Sequence, residues 1–456
     1  MVTQKKEKEN FRPRDPFQQF FKFISSGSAL LMIATAIAVI WANVNHDTYE
    51  HTWHTFFNID TKLFKIKMGL LHWINDGLMA IFFFVVGLEI KREFMAGELR
   101  SFKQASLPIF AAVGGMVVPI IFFLAFGLTG EAANGWGIPM ATDIAFSLGV
   151  LAVLGKRVPL SLKVFLTALA IVDDLGAVLV IALFYGGELN WTFIGIAFIL
   201  LGILALANYK NVQDLKLYMF IGFIIWYLFL MSGIKGPGSG LHATIAGVLI
   251  ALTIPARPKV LVSDFMERIK TGIRKFDTVP KSHNEMVLTP EQLAAINDVE
   301  YSVKKVQSPL QYIEHQFHGF VNLFILPVFA LSNAGVTLVA VTTQGEIFST
   351  ISAAIAVSLV FGKIIGITFF SWLAVRLKIA VKPHKTSWLT FVGLALLGGI
   401  GFTMSIFIAG LAYTGDILNQ AKIGIFVGSI VAGVAGFYLL KYSLKRDEER
   451  RSIMIK

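Results

Sequence analysis

Long hydrophobic runs, separated by polar loops, make up most of the chain. A helix that crosses a bilayer needs about 20 predominantly apolar residues, and twelve runs come close to this length. They lie near residues 23–42, 73–90, 106–127, 135–154, 160–185, 192–208, 215–231, 240–254, 316–337, 349–375, 389–412 and 421–440. The pattern predicts an all-α, polytopic membrane protein with twelve transmembrane helices, called spans one to twelve here.

The charges of the loops alternate along the chain. The N-terminal tail, residues 1–22, and every second loop after it are rich in lysine and arginine. The loops in between are poor in basic residues, except for residues 43–72, where three lysines occur. Because basic loops stay in the cytoplasm, both tails, 1–22 and 441–456, are expected there, and the membrane domain is expected to cover residues 23–440.

The composition fits this class of protein. Only 15% of the 456 residues are charged, and the mean hydropathy is +0.68, whereas a soluble domain has about 25% charged residues. Cytoplasmic lysine and arginine explain the net charge of +11 without a nucleic-acid partner. The absence of cysteine excludes disulfides and thiolate metal sites. The charged N-terminus lacks a small-residue cleavage site, which predicts no removable signal peptide.

Two loops are longer than a connection requires. In the outer loop 43–72, residues 56–68 mix apolar and polar positions, which fits either a hairpin or a solvated loop. The loop 256–312 contains apolar residues at helical spacing over 262–276 with basic residues between them, a pattern typical of a helix on the inner membrane surface. Residues 289–292 match a capping box that opens a second helix. The alternative is a mobile insertion without a role in transport.

Two adjacent carboxylates, Asp173 and Asp174, lie in the middle of span five. A charge at the bilayer centre costs at least about 2.5–3.5 kcal/mol, and such residues are usually functional. Neighbouring carboxylates also raise each other's pKa. Since successive helical residues point about 100° apart, we expect one to face a cavity and the other to lie deeper or to bind a neighbouring helix. The pair is suited to bind a cation, a proton, or each in turn.

Spans four and eleven are interrupted by glycine and proline, over residues 135–146 and 398–405. Non-helical backbone within the membrane is tolerated only inside protein or beside a water-filled cavity. Two interrupted helices in corresponding halves of a chain indicate a transporter built from inverted repeats, here spans three to five and ten to twelve. Glycine also serves helix packing alone, so the evidence is the pairing of the two interruptions.

Broken helices bring helix ends into the membrane, where their partial charges need compensation. Asp143, at the first interruption, suits facing N-termini, although a simple capping role is the alternative. Lys363, in span ten, suits facing C-termini, or it pairs with one of the two aspartates. Thr142 offers an oxygen ligand for an ion.

Charged residues also gather at the inner ends of spans two and nine. Histidine beside carboxylates is able to sense cytoplasmic pH, and an ordinary interfacial charge cluster is the alternative. The members are Glu89, Arg92 and Glu93 of span two, and Glu314, His315 and His318 of span nine.

The stretches around these residues resemble the NhaA-type sodium/proton antiporters. In chain order they are Trp73 to Asp76, Val86 to Glu89, Ala141 to Phe146, Ile171 to Gly176, Ser239 to Thr244, Ser332 to Val336 and Gly401 to Ile406. The resemblance covers roughly residues 20–440, and the ordered set is far more specific than any single stretch.

The resemblance implies a role for each candidate residue. Asp174 would be the main ion and proton ligand with Asp173 as its partner, Thr142 would line the ion site, and Asp143 and Lys363 would balance the crossed half-helices. A further group would belong to the alkaline-pH response, namely Glu89, Arg92, Glu93, His242, Glu314, His315 and His318.

The function implied is a pH-regulated, electrogenic antiporter that exports Na⁺ or Li⁺ in exchange for protons and so serves pH homeostasis. It would be a secondary transporter and no enzyme, without a cofactor besides the transported ions. It would be a multi-pass protein of the bacterial inner membrane and a homodimer joined partly through the outer loop 43–72. Two features depart from the family, namely the long loop 256–312 and Gln311, which replaces a basic residue.

Three other functions compete with antiport. A sodium-coupled solute symporter would need a larger cavity and ligands for an organic substrate. A cation channel would not need a lysine beside the acidic pair. An intramembrane aspartyl protease should place its two acids on different helices, whereas Asp173 and Asp174 are adjacent.

Overall fold

Helices form nearly all of the protein. The computed structural model describes residues 27–60, 65–97, 99–233, 243–258, 260, 262–278, 288–337, 349–383 and 386–455. The α-helices are α1 (Gly27–Val44), α2 (His46–His54), α3 (Leu70–Ala96), α4 (Phe102–Ala125), α5 (Ile144–Leu154), α6 (Leu160–Phe184), α7 (Trp191–Tyr209), α8 (Leu215–Leu230), α9 (Ala243–Thr253), α10 (Val262–Thr278), α11 (Pro290–Val306), α12 (Pro309–Phe320), α13 (Leu326–Asn333), α14 (Thr350–Arg376), α15 (Trp388–Gly398), α16 (Phe402–Ala412) and α17 (Gly415–Ile455).

Other regular elements are few in the described part of the chain. Two strands, β1 (Phe56–Asp60) and β2 (Lys65–Gly69), precede α3. The segments Gly130–Met140 and Gly155–Arg157 are 3₁₀ helices. Wider π-helical turns occur at Trp73–Leu78 within α3, at Val321–Ile325 between α12 and α13, and at Ser358–Gly362 within α14.

The prediction of a helical, multi-pass membrane fold is confirmed. Among the described residues, seven helices are long and apolar enough to cross a membrane, or nine if each of two bent pairs counts as one span. The helices α8 and α9 are apolar but shorter. In the same part of the chain, α17 continues without a break from its apolar part through residues 441–455.

Small residues allow the helices around the centre to approach closely. The helices α4 and α14 cross at Gly114 and Gly366, where a Cβ added to Gly114 would overlap the carbonyl oxygen of Gly366. Close backbone approach at glycine is typical of membrane helices. Because lipid is itself apolar, association between such helices depends on dispersion contacts rather than on the hydrophobic effect. This crossing fixes the position of α14, which carries Lys363.

The loop 43–72 contains an antiparallel hairpin, as one of the two interpretations of its sequence predicts. The strands β1 and β2 pair in register from Phe56 opposite Gly69 to Asp60 opposite Lys65. Ile66 and Met68 point to the same side of β2 and are buried, whereas Lys67 between them is exposed. The alternation follows from the two-residue period of a strand.

The loop 256–312 contains the two predicted helices, α10 and α11. The Thr289 side chain accepts a hydrogen bond from Gln292 N, and the Gln292 side chain accepts one from Thr289 N. The predicted capping box is therefore present, with Pro290 in the first turn of the helix. This box fixes where α11 begins.

Candidate ion-binding site

Both predicted interruptions are bends, and they meet. The 3₁₀ helix Gly130–Met140 and α5 are inclined by 41°, and α15 and α16 are inclined by 44°. At the crossing, Asp143 N donates to Ile400 O at 2.7 Å, and Thr142 Oγ1 donates to Gly398 O at 2.8 Å. A Cβ on Gly401 would lie 3.1 Å from Ala141 O. The two broken segments therefore satisfy each other's free backbone groups inside the protein, as the membrane interior requires.

Asp143 joins the N-termini of α5 and α16. Its Oδ1 accepts from Phe146 N at 3.0 Å, and its Oδ2 accepts from Thr403 N at 3.0 Å and from the Thr403 hydroxyl. Helix N-termini are partially positive, so a carboxylate between them is favourable. The structure thus places Asp143 at two facing N-termini, where capping and charge compensation coincide.

Lys363 is completely buried and contacts both kinds of partner that the sequence left open. Its Nζ donates to Met140 O, at the carbonyl end of the first broken segment. It also donates to Thr142 Oγ1 and to Asp173 Oδ2, each at 2.9 Å. The ammonium is therefore shared between a helix C-terminus and one of the two carboxylates. In this conformation the Thr142 hydroxyl also belongs to this network.

Asp173 and Asp174 have different surroundings, as the 100° spacing predicts. Both residues are 1% exposed. Asp173 pairs with Lys363, whereas Asp174 lines a cavity of about 270 Å³. Among the described residues, Asp173 Oδ1 and Asp174 Oδ1 are both buried oxygens without a hydrogen-bond partner, but of the two residues only Asp174 lines the cavity. An unpaired buried acceptor is costly, so Asp174 Oδ1, at the cavity, is available to a proton or a cation.

The cavity runs between two groups of helices. One wall comes from α1, α3 and the turn after α12, and the other from α5, α6 and α16. His318, which is exposed, and Glu89 line the cavity together with the buried Asp174. The cavity therefore reaches Asp174 from the end of the molecule where α3 ends and α12 begins.

On the other side of the cavity, aromatic side chains close the space between the same two groups of helices. The Phe407 ring of α16 lies 5.6 Å from the Phe83 ring of α3 and 6.0 Å from the Phe329 ring of α13, measured between centroids. All three side chains are buried. The three rings therefore pack against one another between α16 and the helices α3 and α13.

Arg92 holds the predicted charge cluster together. Its Nη2 lies 3.1 Å from Glu93 Oε1, and its Nε lies 3.0 Å from Glu314 Oε1. Glu89 and His318 lie apart from these ion pairs, along the cavity. His315 is exposed, and His242 lies outside the described residues.

Sequence reasoning missed the hydroxyl side chains that hold the crossing. Thr403 binds Asp143, Ser147 Oγ donates to Leu397 O at 2.7 Å, and Ser405 Oγ donates to Ile138 O at 2.9 Å. Two of these residues lie in the interrupted stretch 398–405. The available signal was the presence of hydroxyl residues directly beside the glycine-rich breaks. Backbone carbonyls left unpaired by a helix break require hydrogen-bond donors, which these hydroxyls supply.

Fold and site together define a multi-pass helical membrane protein with a buried carboxylate site between two broken helices. The model of the family Na⁺/H⁺ antiporter 1 matches residues 18–440. The Na⁺/H⁺ antiporter NhaA 2 of Syntrophotalea carbinolica is 45% identical over 439 residues, 95% of this chain and 98% of that protein. The Na⁺/H⁺ antiporter NhaA 1 of Saccharophagus degradans is 45% identical over 445 residues, 95% of this chain and 93% of that protein.

The chain therefore belongs to the Na⁺/H⁺ antiporter 1 family. The relatives are named as antiporters, which are transporters rather than enzymes. A solved structure, that of the sodium proton antiporter MjNhaP1 from Methanocaldococcus jannaschii, aligns with a TM-score of 0.44 and 13% identity, over 94% of this chain and 98% of that one. This likeness is too low to support a comparison of the two sites.

Proposed function

We propose that this protein is a Na⁺/H⁺ antiporter that exports Na⁺ or Li⁺ in exchange for protons at Asp174. The observation that carries the proposal is the unpartnered, buried Asp174 Oδ1 at the cavity. Family membership and the names of the relatives support the same conclusion. A cavity of about 270 Å³ is smaller than the roughly 300–1,000 Å³ usual for organic ligands. No observation favours the symporter.

Exchange follows from competition for the carboxylates. A cation bound at Asp174 requires an ionised carboxylate, so its arrival releases the proton held there. If Asp173 turns toward the cation, it leaves Lys363, and the lysine then gives up its proton. Two protons would thus be exchanged for one Na⁺, which makes transport electrogenic and lets the membrane potential drive export. Thr142, freed from Lys363 in the same step, would become an oxygen ligand of the ion.

The proposed cycle alternates access to Asp174. The cavity at His318 and Glu89 would represent the inward-open state, and the contact of Phe407 with Phe83 and Phe329 would be the outer closure. Opening the outer side requires the group with α5, α6 and α16 to move relative to α3 and α13. Asp143 and Lys363 would keep the crossed half-helices together during this movement, because both bridge separate segments.

Twelve spans complete the proposed topology. The seven long helices, the two bent pairs, α8, α9 and the segment from α12 to α13 add up to twelve. Spans three to five and ten to twelve would be inverted repeats. Both termini would be cytoplasmic in a bacterial inner membrane, since the basic loops then face the cytoplasm.

The Arg92 cluster is the proposed site of pH regulation. Glu89, Glu93, Glu314 and His318 lie at the inner end of the cavity or beside it, where cytoplasmic protons reach them. His315 and His242 are included from the family resemblance alone. Loss of protons at alkaline pH would change the charge around Arg92 and so activate transport.

We also propose a homodimer through the outer hairpin. A two-stranded hairpin leaves strand edges able to pair with another chain, and Phe56 and Phe57 of β1 are largely exposed. Pairing of β1 or β2 with its copy would cover these side chains.

Proton flux in everted membrane vesicles tests the antiporter. An acid-inside gradient is formed, Na⁺, Li⁺ or K⁺ is added at several pH values, and collapse of the gradient is followed. We expect collapse with Na⁺ and Li⁺, loss of this response in Asp174→Asn, and retention in the exposed control Asp416→Asn. No response of well-expressed wild-type protein at any pH would contradict antiport, and an active Asp174→Asn would move the site elsewhere.

A further inference from the structure

The helices α10 and α11 form an antiparallel hairpin. Val260 N, just before α10, donates to Lys305 O at 3.2 Å, and Lys275 Nζ lies 3.7 Å from Asp298 Oδ2. Between these contacts, a Cβ on Gly272 would come within 2.6 Å of Val299. The line of contact therefore runs through Gly272 on α10 and Val299 on α11.

Each helix keeps an apolar stripe outside this contact. On α10, Met266 and Ile273 are 49% and 60% exposed, and on α11, Ile296 and Val303 are 41% and 40% exposed. The two residues of each pair are seven positions apart along their helix. At this spacing two side chains point within about 20° of the same direction. Each pair therefore forms one stripe along its helix.

The two stripes lie on the same side of the hairpin. Counted along each helix at about 100° per residue, the stripe lies roughly 110° from the contact line on α10 and roughly 50° from it on α11, in the same sense on both helices. Because the helices are antiparallel, offsets of the same sense and less than half a turn point to one common side. A single apolar face thus extends across both helices.

The base of the hairpin lies at the end of two membrane-embedded segments. Leu310 N of α12 donates to Pro255 O at 3.1 Å, and Gln213 Nε2 donates to Arg257 O at 2.8 Å. Only two residues separate the end of α11 from the start of α12. At this level Leu252 of α9 and Tyr312 of α12 are also exposed apolar side chains. The lipid-facing surface of the protein therefore continues to the base of the hairpin.

We propose that the α10–α11 hairpin lies on the bilayer surface from which α9 and α12 emerge, with its common apolar face in phospholipid. The nearest apolar phase to the exposed stripes is the bilayer. Lys270 and Arg274 border the Ile273 stripe, and their long side chains reach phosphate groups while their stems remain in apolar surroundings. Amphipathic helices bind membranes through this combination of buried apolar area and basic flanks. The proposal concerns anchoring and is independent of the transported ion.

The absence of cysteine allows a direct test on the full-length protein. An environment-sensitive fluorophore is attached to Ile273→Cys or Ile296→Cys, and to the controls Thr271→Cys and Ala294→Cys on the opposite faces of the same helices. The proteins are placed in vesicles of phosphatidylethanolamine and phosphatidylglycerol. We expect quenching by nitroxide-labelled lipid to be at least about twofold stronger at the two stripe positions than at the controls, and quenching by aqueous iodide to show the reverse order.

Two results would overturn the proposal. Equal iodide quenching at all four positions would place the apolar face in water. Stripe labels protected from both quenchers, with emission that changes with the protein-to-lipid ratio, would show that a second copy of the chain covers the face. Preserved sodium-dependent proton flux in each labelled protein verifies that the fold is intact.

Discussion

Replacement of Lys363 by methionine tests the buried network most directly. The ammonium is completely buried and donates to Asp173 Oδ2, Thr142 Oγ1 and Met140 O. Methionine has a similar length but no donor, so Lys363→Met leaves the Asp173 carboxylate without its counterion. Removal of one partner of a buried ion pair typically costs about 3–5 kcal/mol.

Protonation of Asp173 limits this cost. A carboxyl group with an ordinary pKa of about 3.9 must take up a proton at pH 7, which costs about 4 kcal/mol at 1.36 kcal/mol per pH unit. At pH 5 the same step costs about 1.5 kcal/mol. The unfolded variant releases this proton, so the stability deficit relative to wild type is largest at neutral pH and shrinks as pH falls.

The free energy of unfolding in mixed detergent micelles, titrated with SDS at pH 5 and pH 7, measures this deficit. The double variant Lys363→Met with Asp173→Asn is the control, because it removes the unpaired charge. We expect it to recover more than half of the loss at pH 7. A deficit below about 1 kcal/mol that does not change with pH would refute the reasoning, since it would mean that the folded protein contains no ion pair at this position.

Two further predictions concern helix packing and the Arg92 cluster. Gly114→Ala forces a Cβ against α14 and should lower the free energy of unfolding by about 1–3 kcal/mol or more. The control Gly195→Ala adds a Cβ that meets open space among the described residues. It should not destabilise the protein in the same SDS titration. Glu314→Gln mimics the protonated carboxyl and should move the pH dependence of sodium-dependent proton flux to higher pH. The control Glu291→Gln, at an exposed position, should not. An unchanged pH profile in Glu314→Gln would exclude this carboxyl from regulation.

The class of protein follows from sequence alone because the bilayer imposes local rules. Apolar runs must be helical to satisfy their own backbone, so the helices fall close to the predicted runs. Charges within such runs are expensive, which marks Asp173, Asp174, Asp143 and Lys363 without any knowledge of their partners. Glycine and proline in two runs mark the breaks for the same reason.

Local patterns also determined the small elements outside the membrane helices. The capping box at Thr289 depends on residues three apart, and the amphipathic pattern of α10 depends on one helix only. Local sequence did not decide between a hairpin and an open loop at residues 56–68. The hairpin depends on tertiary contacts, because Ile66 and Met68 of β2 are buried in the hydrophobic core.

Tertiary structure decided how the charges are connected. Lys363 and Asp173 are 190 residues apart, and Thr403 and Asp143 are 260 residues apart. Their pairing depends on how α14 crosses α4 and how the two breaks cross each other. The same packing turns Asp174 rather than Asp173 toward the cavity, although the two residues are chemically identical. Helical periodicity determines the angle between neighbouring side chains, but only the surrounding helices determine which side chain meets water and which meets a lysine.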